Sequence, residues 1–268
     1  VASPSSTGSL NLFVDLDGRP ERDLGLESVF LDRASSGLVS LFLYSWSSPV
    51  VVLGYGQKAE DIDRDWCRQA GVPVFRRMTG GTGVVHSRDL AVSLFLPASH
   101  LWAGKITGLY GLFLGALAPA LERAGGSGKS PEHPSEAGRT RSPICFEDQL
   151  SDTLVVDGRK VVGCAQARKA RSVLIHAAVS LNLAVEVYSA VFRVPEARIL
   201  KGLGEAVPGG RASETVPHVV DALVKALGMT IQRQGLPDPM GSEAKAEALD
   251  LSERPGIQAP STGPDDDD

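Results

Sequence analysis

The chain has 268 residues, 43% hydrophobic and 22% charged, enough for a full buried core in one or two domains. A formal net charge of −5 gives no general attraction to polyanions, and no apolar run approaches the roughly 20 residues of a membrane span, so nucleic acid and bilayer are poor partners. Three cysteines, Cys67, Cys145 and Cys164, are odd in number and lack paired CxxC spacing, which argues against a disulfide framework and a zinc site and fits a reducing cytoplasm.

Three stretches carry no apolar period: 1–8, 125–143, and 234–268, which closes on DDDD. All three read as mobile, and the last as a solvated acidic tail that cannot bury enough surface to offset its ordering entropy. No signal-peptide pattern opens the chain, which begins at Val1. The expected folded body is 9–230, with 125–143 as an insert.

Along that body the hydrophobic period alternates between helix and strand. DLGLESVFLDRA (23–34) sets Leu26, Val29, Phe30 and Arg33 at helical spacing; 40–46 and 50–56 read as strands, and 59–71 as a helix ending at Gly71. PVFRRM is the next strand, and after a glycine turn LAVSLFLP (90–97) is another. A helix over 105–124 follows, weakened by glycines and expected to kink at Pro119. The segment 152–185 has the alternation of two or three antiparallel strands, with Asp157-Gly158 as a hairpin turn. Helices return near 187–191 and 213–227. Runs of strands with helices outside them predict an α+β fold of mixed, largely antiparallel sheets with flanking helices.

The stretch RRMTGGTGVVH (76–86) sets Arg76 and Arg77 at a strand end just before the Gly80-Gly81 turn. Bare backbone N–H groups beside two permanent cations suit a phosphate or a polarised carbonyl, although a tight hairpin with solvated arginines satisfies the same pattern. His86 alone reads as a structural histidine.

RRMTGGTGVVH followed by VVDGRKVVGCAQARKARSVLIHAAVSLNL resembles the lipoate-protein ligase, octanoyltransferase and biotin ligase superfamily, in which an RRxxGGxxVxH loop and a DGRKVxGSAQ hairpin close over an acyl chain. The likeness spans about 10–228 and implies the biotin/lipoate protein ligase catalytic-domain fold. It places the family's lysine at Lys160 and its GSAQ segment at Gly163-Cys164-Ala165-Gln166. It further implies that Arg76, Arg77, Gly80, Gly81, Thr82, His86, Gly163, Ala165 and His176 line the substrate site. The family's HHGS stretch reads Ile175-His176-Ala177-Ala178, which keeps one histidine.

Cys145, in SPICFEDQL, stands fifteen residues ahead of Lys160, the position at which the ligase-like octanoyltransferases carry their nucleophile. The resemblance implies transfer of an octanoyl group from acyl carrier protein, through a Cys145 thioester, to a lysine of a lipoyl domain or of the glycine-cleavage H protein, with no cofactor. Cysteine is intrinsically the best side-chain nucleophile for such a transfer, and a nearby ammonium lowers its pKa. Cys164 lies roughly 13 Å along the strand from Lys160 at 3.3 Å per residue and is the weaker candidate. Arg139, Arg141, Arg159, Arg168, Lys169 and Arg171 crowd the neighbouring segments and suit an acidic carrier. Two alternatives stand beside this reading: an ATP- and magnesium-dependent lipoate ligase working through an acyl-adenylate, and a non-catalytic acyl-binding protein.

Overall fold

The computed structural model describes residues 8–132, 144, 152–237 and 249. Strand β1 (Ser9–Asp15) leads into helix α1 (Pro20–Ala34), then β2 (Val39–Tyr44), β3 (Val50–Leu53), α2 (Arg64–Ala70), β4 (Val74–Arg76), β5 (Val84–His86) and β6 (Leu90–Pro97). Helix α3 (Ile106–Arg123) is followed by the strands β7 (Thr153–Val156), β8 (Arg159–Arg168) and β9 (Ser172–Val179). The chain then forms α4 (Val185–Phe192), α5 (Glu196–Gly202), α6 (Ala212–Leu227) and β10 (Thr230–Arg233).

These strands form two sheets. The larger has the order β10-β1-β2-β6-β9-β8-β7, parallel at the β10-β1-β2 end and antiparallel through the rest; the smaller has the order β4-β3-β5. The expected mixed, largely antiparallel α+β architecture is what the chain builds.

Why the central strands read as unbroken apolar runs follows from what covers them. Leu90, Val92, Leu94 and Leu96 of β6 join the core beneath α3 and α6, whereas Ala91 and Phe95 belong to the core on the opposite face, with α1 and the inner side of the small sheet. Strands buried on both faces lose the alternation of a half-exposed sheet. Under α1, the Phe30 ring sits 4.4 Å from Phe13, 5.4 Å from Phe42 and 5.5 Å from Phe95, centroid to centroid, and this cluster fixes the helix on the sheet. A third core lies between the small sheet and α2, α4 and α5.

Several local expectations change. The stripe of α1 buries Leu24, Leu26, Glu27, Phe30, Leu31 and Ala34; Val29 is half-buried and Arg33 exposed. Residues 59–71 split into a 3-10 turn at Ala59–Asp61 and α2, because the Asp63 side chain accepts from Trp66 N and caps a new helix. Of the insert expected to be mobile, 125–132 is tied down: Ser127 N donates to Ala206 O, and Lys129 exchanges both backbone hydrogen bonds with Val155. Residues 133–143 lie outside the described residues, as do most of 234–268, although Gln234 N donates to Leu12 O and Leu249 N to Val74 O. The Asp157-Gly158 turn is as expected, with φ of 50° and 72°, the double left-handed geometry of a two-residue hairpin.

Candidate active site

A pocket opens between the two sheets and is continuous with solvent. From the large sheet it is lined by Tyr44, Ala91, Gly163, Ala165, His176 and Ala178, and from the small sheet side by Val52, Arg77, Val84 and His86. Five residues expected from the sequence therefore meet at one cavity: Arg77, His86, Gly163, Ala165 and His176.

The two arginines do not stand as free cations. Arg76 Nη1 donates to the carbonyls of Gly54 (2.7 Å), Tyr55 (3.1 Å) and Gln57 (2.6 Å). Arg77, nearly buried, donates from Nη1 to Val52 O, from Nη2 to Gly80 O (2.8 Å) and Thr82 O (3.0 Å), and from Nε to Thr79 Oγ1 (2.9 Å). A tight glycine turn leaves carbonyls without ladder partners, and the planar five-donor fork of arginine satisfies several at once. The anion cradle expected here is thus, in its guanidiniums, a clamp on the loop itself. Gly80 and Gly81 remain exposed at the loop tip, and Thr82 is half-exposed.

Two glycines show how closely this loop is packed. A Cβ on Gly54 would meet Gly81 O at 1.9 Å, so the 54–57 turn lies backbone to backbone against the 79–82 turn. Gly81 has φ of 92°, and its Cβ would stand 2.8 Å from Arg77 Nη2. Gly81→Val is therefore expected to lower stability by about 1–3 kcal/mol through backbone strain and the displaced Arg77 fork. Urea unfolding of the variant checks it, and an unchanged midpoint would show that the loop relaxes freely.

Behind the loop runs a buried polar chain that the sequence reading did not include. Glu27, 1% exposed, accepts hydrogen bonds at Oε1 from Ser93 Oγ (2.6 Å) and Tyr44 Oη (3.2 Å), and His176 Nδ1 lies 3.1 Å away. His176 Nε2 is 2.8 Å from Thr79 Oγ1, which ties the chain to Arg77 and the glycine loop. Burial pushes the Glu27 carboxyl up, but attraction to His176 and the hydrogen bonds from His176, Ser93 and Tyr44 outweigh it and hold the group below the usual carboxylate range. The signal in the sequence was a carboxylate inside the apolar stripe of α1, between Leu24-Leu26 and Phe30.

Because its folded pKa is depressed, Glu27 contributes stability that is present above its ordinary value near 4.5 and lost as pH falls through the folded value. Glu27→Gln is expected to cost about 2–4 kcal/mol at pH 7, with a deficit that shrinks as pH is lowered below that ordinary value. Paired denaturation curves at pH 7 and in the acid range read this directly; a deficit independent of pH would assign the cost to packing alone.

His86 sits across the pocket from His176. Its Nδ1 is 2.8 Å from Asp89 Oδ2, and its ring meets Trp46 edge-on at 5.2 Å. Lys160 is 3% exposed at the start of β8, with its carbonyl accepting from Gly204 N, and stands three residues before the pocket residue Gly163. Lys160 is absent from the pocket lining itself.

Cys145 lies outside the described residues, but Ile144, directly before it, is fully buried and forms a parallel bridge to Gly83 in the glycine loop. Cys67 is fully buried, and burial, with a smaller contribution from the Asp63 carboxylate, pushes its thiol up to about 11. Cys164 borders the pocket, while its side chain joins the core beneath α3.

The basic residues expected to form a rim are largely engaged within the chain. Arg168 donates to Ala103 O and Gly104 O, Lys169 Nζ pairs with Asp32 at 2.7 Å, and Arg159 stands 3.9 Å from Asp157. Arg139 and Arg141 lie outside the described residues. Among the described residues, no helix is long and apolar enough to cross a membrane.

Comparison with known proteins places this geometry. The family model of the lipoyl protein ligase A/B catalytic domain matches residues 19–228. The octanoyltransferase LipM of Geobacillus kaustophilus is 31% identical over 193 residues, 69% of each chain. That of Halalkalibacterium halodurans is 26% identical over 263 residues, covering 90% of this chain and 95% of the other. Among solved structures, a lipoate-protein ligase A bound with ATP matches with a TM-score of 0.73 at 21% identity, over 89% of this chain and 93% of that one. A lipoate protein ligase from T. acidophilum with bound lipoic acid matches at 0.71 and 20% identity, with the same coverage. At these identities the solved structures show the shared fold.

Proposed function

The chain belongs to the lipoyl protein ligase A/B catalytic-domain family, and within it we propose that it is an octanoyltransferase that moves an octanoyl group from acyl carrier protein to a lysine of a lipoyl domain through a Cys145 thioester. The similarity to LipM octanoyltransferases supports the reaction class. The observation that carries the route is the buried bridge between Ile144 and Gly83, which brings the chain to the glycine loop one peptide bond before Cys145. The pocket between the sheets receives the acyl chain, and the reaction takes place in the cytoplasm.

In the first step the Cys145 thiolate attacks the carbonyl carbon of the carrier's thioester. A new C–S bond forms, the carrier's C–S bond breaks, and the carrier thiolate leaves and takes up a proton. The acceptor lysine then attacks as the free amine; the C–N bond forms, the Cys145 C–S bond breaks, and the amine's proton passes to solvent. Neither step requires ATP, because the thioester is already activated. Lys160 stabilises the thiolate and then donates to the carbonyl oxygen as charge develops on it, with the exposed backbone N–H groups of Gly80 and Gly81 beside it. Arg76 and Arg77 hold that loop in shape, Arg77 through the carbonyls of Gly80 and Thr82, while His86, Gly163, Ala165 and His176 shape the cavity.

The experiment is intact mass measurement after incubation with octanoyl carrier protein in the absence of ATP. An octanoyl adduct on the enzyme, passed on to an added lipoyl domain or glycine-cleavage H protein, is the expected result. An unmodified enzyme that modifies the lipoyl domain only with ATP and octanoate would replace this reading with an acyl-adenylate ligase.

A further inference from the structure

The pocket owes its shape to one rung of the large sheet. Reading across the strands, Tyr44 of β2 pairs with Ala91 of β6, Ala91 with Ala178 of β9, and Ala178 with Gly163 of β8. All four line the pocket. Three successive small residues on one face of three neighbouring strands leave a trench across the sheet, and the Tyr44 ring stands at its end. The adjoining rung, Phe42, Ser93, His176 and Ala165, supplies the polar side wall through the Glu27 network, and Val52, Val84 and His86 roof it.

We infer that this trench is the ruler for acyl-chain length, with Ala91 marking the position of the terminal methyl and Tyr44 forming the stop. The inference rests on the acyl-transfer reading above. Neighbouring strands are about 4.8 Å apart, so the path from Gly163 on β8 to Ala91 on β6 is roughly 9.6 Å. An extended saturated chain advances about 1.25 Å per bond from its 1.5 Å bonds and tetrahedral angles, which makes the seven bonds of an octanoyl group roughly 9 Å. The two lengths agree to within one bond. Lys160 stands three residues before Gly163 on β8, so the reacting carbonyl belongs at the β8 end and the methyl at the β6 end.

The stop is rigid. Tyr44 donates through its hydroxyl to Glu27, and its ring lies 4.8 Å from Phe42 and 5.3 Å from Trp46. Trp46 is itself anchored by its indole N–H to Asp23 Oδ2 at 2.9 Å. A decanoyl chain needs about 2.5 Å more than octanoyl and meets this ring. Close-packed interiors do not yield that distance without displacing side chains.

The test measures calorimetric binding of hexanoate, octanoate and decanoate to the wild-type chain and to Ala91→Leu, Ala91→Val and Tyr44→Leu, beside turnover with octanoyl carrier protein. In Ala91→Leu the octanoate-to-hexanoate affinity ratio falls on the order of ten-fold, since the last methylenes lose their space. Ala91→Val shifts the same ratio less, and Tyr44→Leu raises decanoate relative to octanoate. Ratios within one variant are insensitive to its stability, and Ala91→Val and Tyr44→Leu carry the test if the leucine does not fold. Unshifted ratios in a wild-type-like enzyme that transfers octanoate would overturn the ruler. Shifted ratios in a protein that transfers nothing would leave the ruler standing and remove the transferase reading.

Discussion

Cys145→Ala is expected to abolish the octanoyl adduct and to lower transfer to a lipoyl domain by at least about 10³-fold, the scale on which enzymes lose rate when a covalent nucleophile is removed. The neighbouring thiols sharpen the expectation. Cys67 is sealed in the core between the small sheet and α2, and its raised pKa leaves almost no thiolate near neutral pH. Cys164 packs into the core beneath α3, so its thiol points away from the rung on which Gly163 and Ala178 meet. An adduct mass that persists in Cys67→Ala and in Cys164→Ala but disappears in Cys145→Ala assigns the thioester. Loss of the adduct in Cys164→Ala alone would move the nucleophile onto β8 and require a different oxyanion geometry.

What the sequence disclosed follows from which interactions are local. The Asp157-Gly158 hairpin was readable because a two-residue turn demands left-handed backbone at both positions, and aspartate and glycine meet that demand themselves. The runs of β2, β3 and β6 were readable because double-sided burial writes itself as continuous apolar residues. Strand β10 was not, since Thr230-Ile231-Gln232-Arg233 is exposed throughout and exists as a strand only through its parallel pairing with β1, more than two hundred residues earlier. The 125–132 segment is similar, held by Val155 and Ala206 rather than by a pattern of its own.

The site divides in the same way. Motif spacing brought Arg77, His86, Gly163, Ala165 and His176 to one pocket, but it could not say what the arginines do there. A guanidinium reads as charge in a sequence; that its donors meet the carbonyls of Gly54, Gln57, Gly80 and Thr82 depends on two loops meeting in space. Glu27 and Tyr44 escaped notice for a related reason, because a carboxylate and a phenol become buried partners only once α1 lies across β2. The rung of Ala91, Ala178 and Gly163 is invisible along the chain, being a register between strands.

Lys160→Ala is expected to lose transfer by about 10²–10³-fold although Cys145 remains, and to make the thiol less reactive near neutral pH. Lys160 is almost wholly buried, and its strand runs directly into the pocket at Gly163, so it has the setting in which one positive charge has a large effect on a neighbouring anion. An ordinary cysteine has a pKa of about 8.5, and an ammonium within about 4–6 Å lowers it by one to three units, each unit worth roughly 1.4 kcal/mol of preference for the thiolate. Removing the ammonium therefore moves the pH profile of iodoacetamide alkylation at Cys145 upward. Lys160→Arg separates the two roles assigned to the side chain: it keeps the charge and recovers part of the thiol reactivity, but its planar fork does not reproduce a single point donor to the oxyanion, so little transfer returns. Identical alkylation profiles in wild type and Lys160→Ala would uncouple the two residues. Lys160 would then serve as an acyl or adenylate contact, and ATP dependence would become the measurement that decides the reaction.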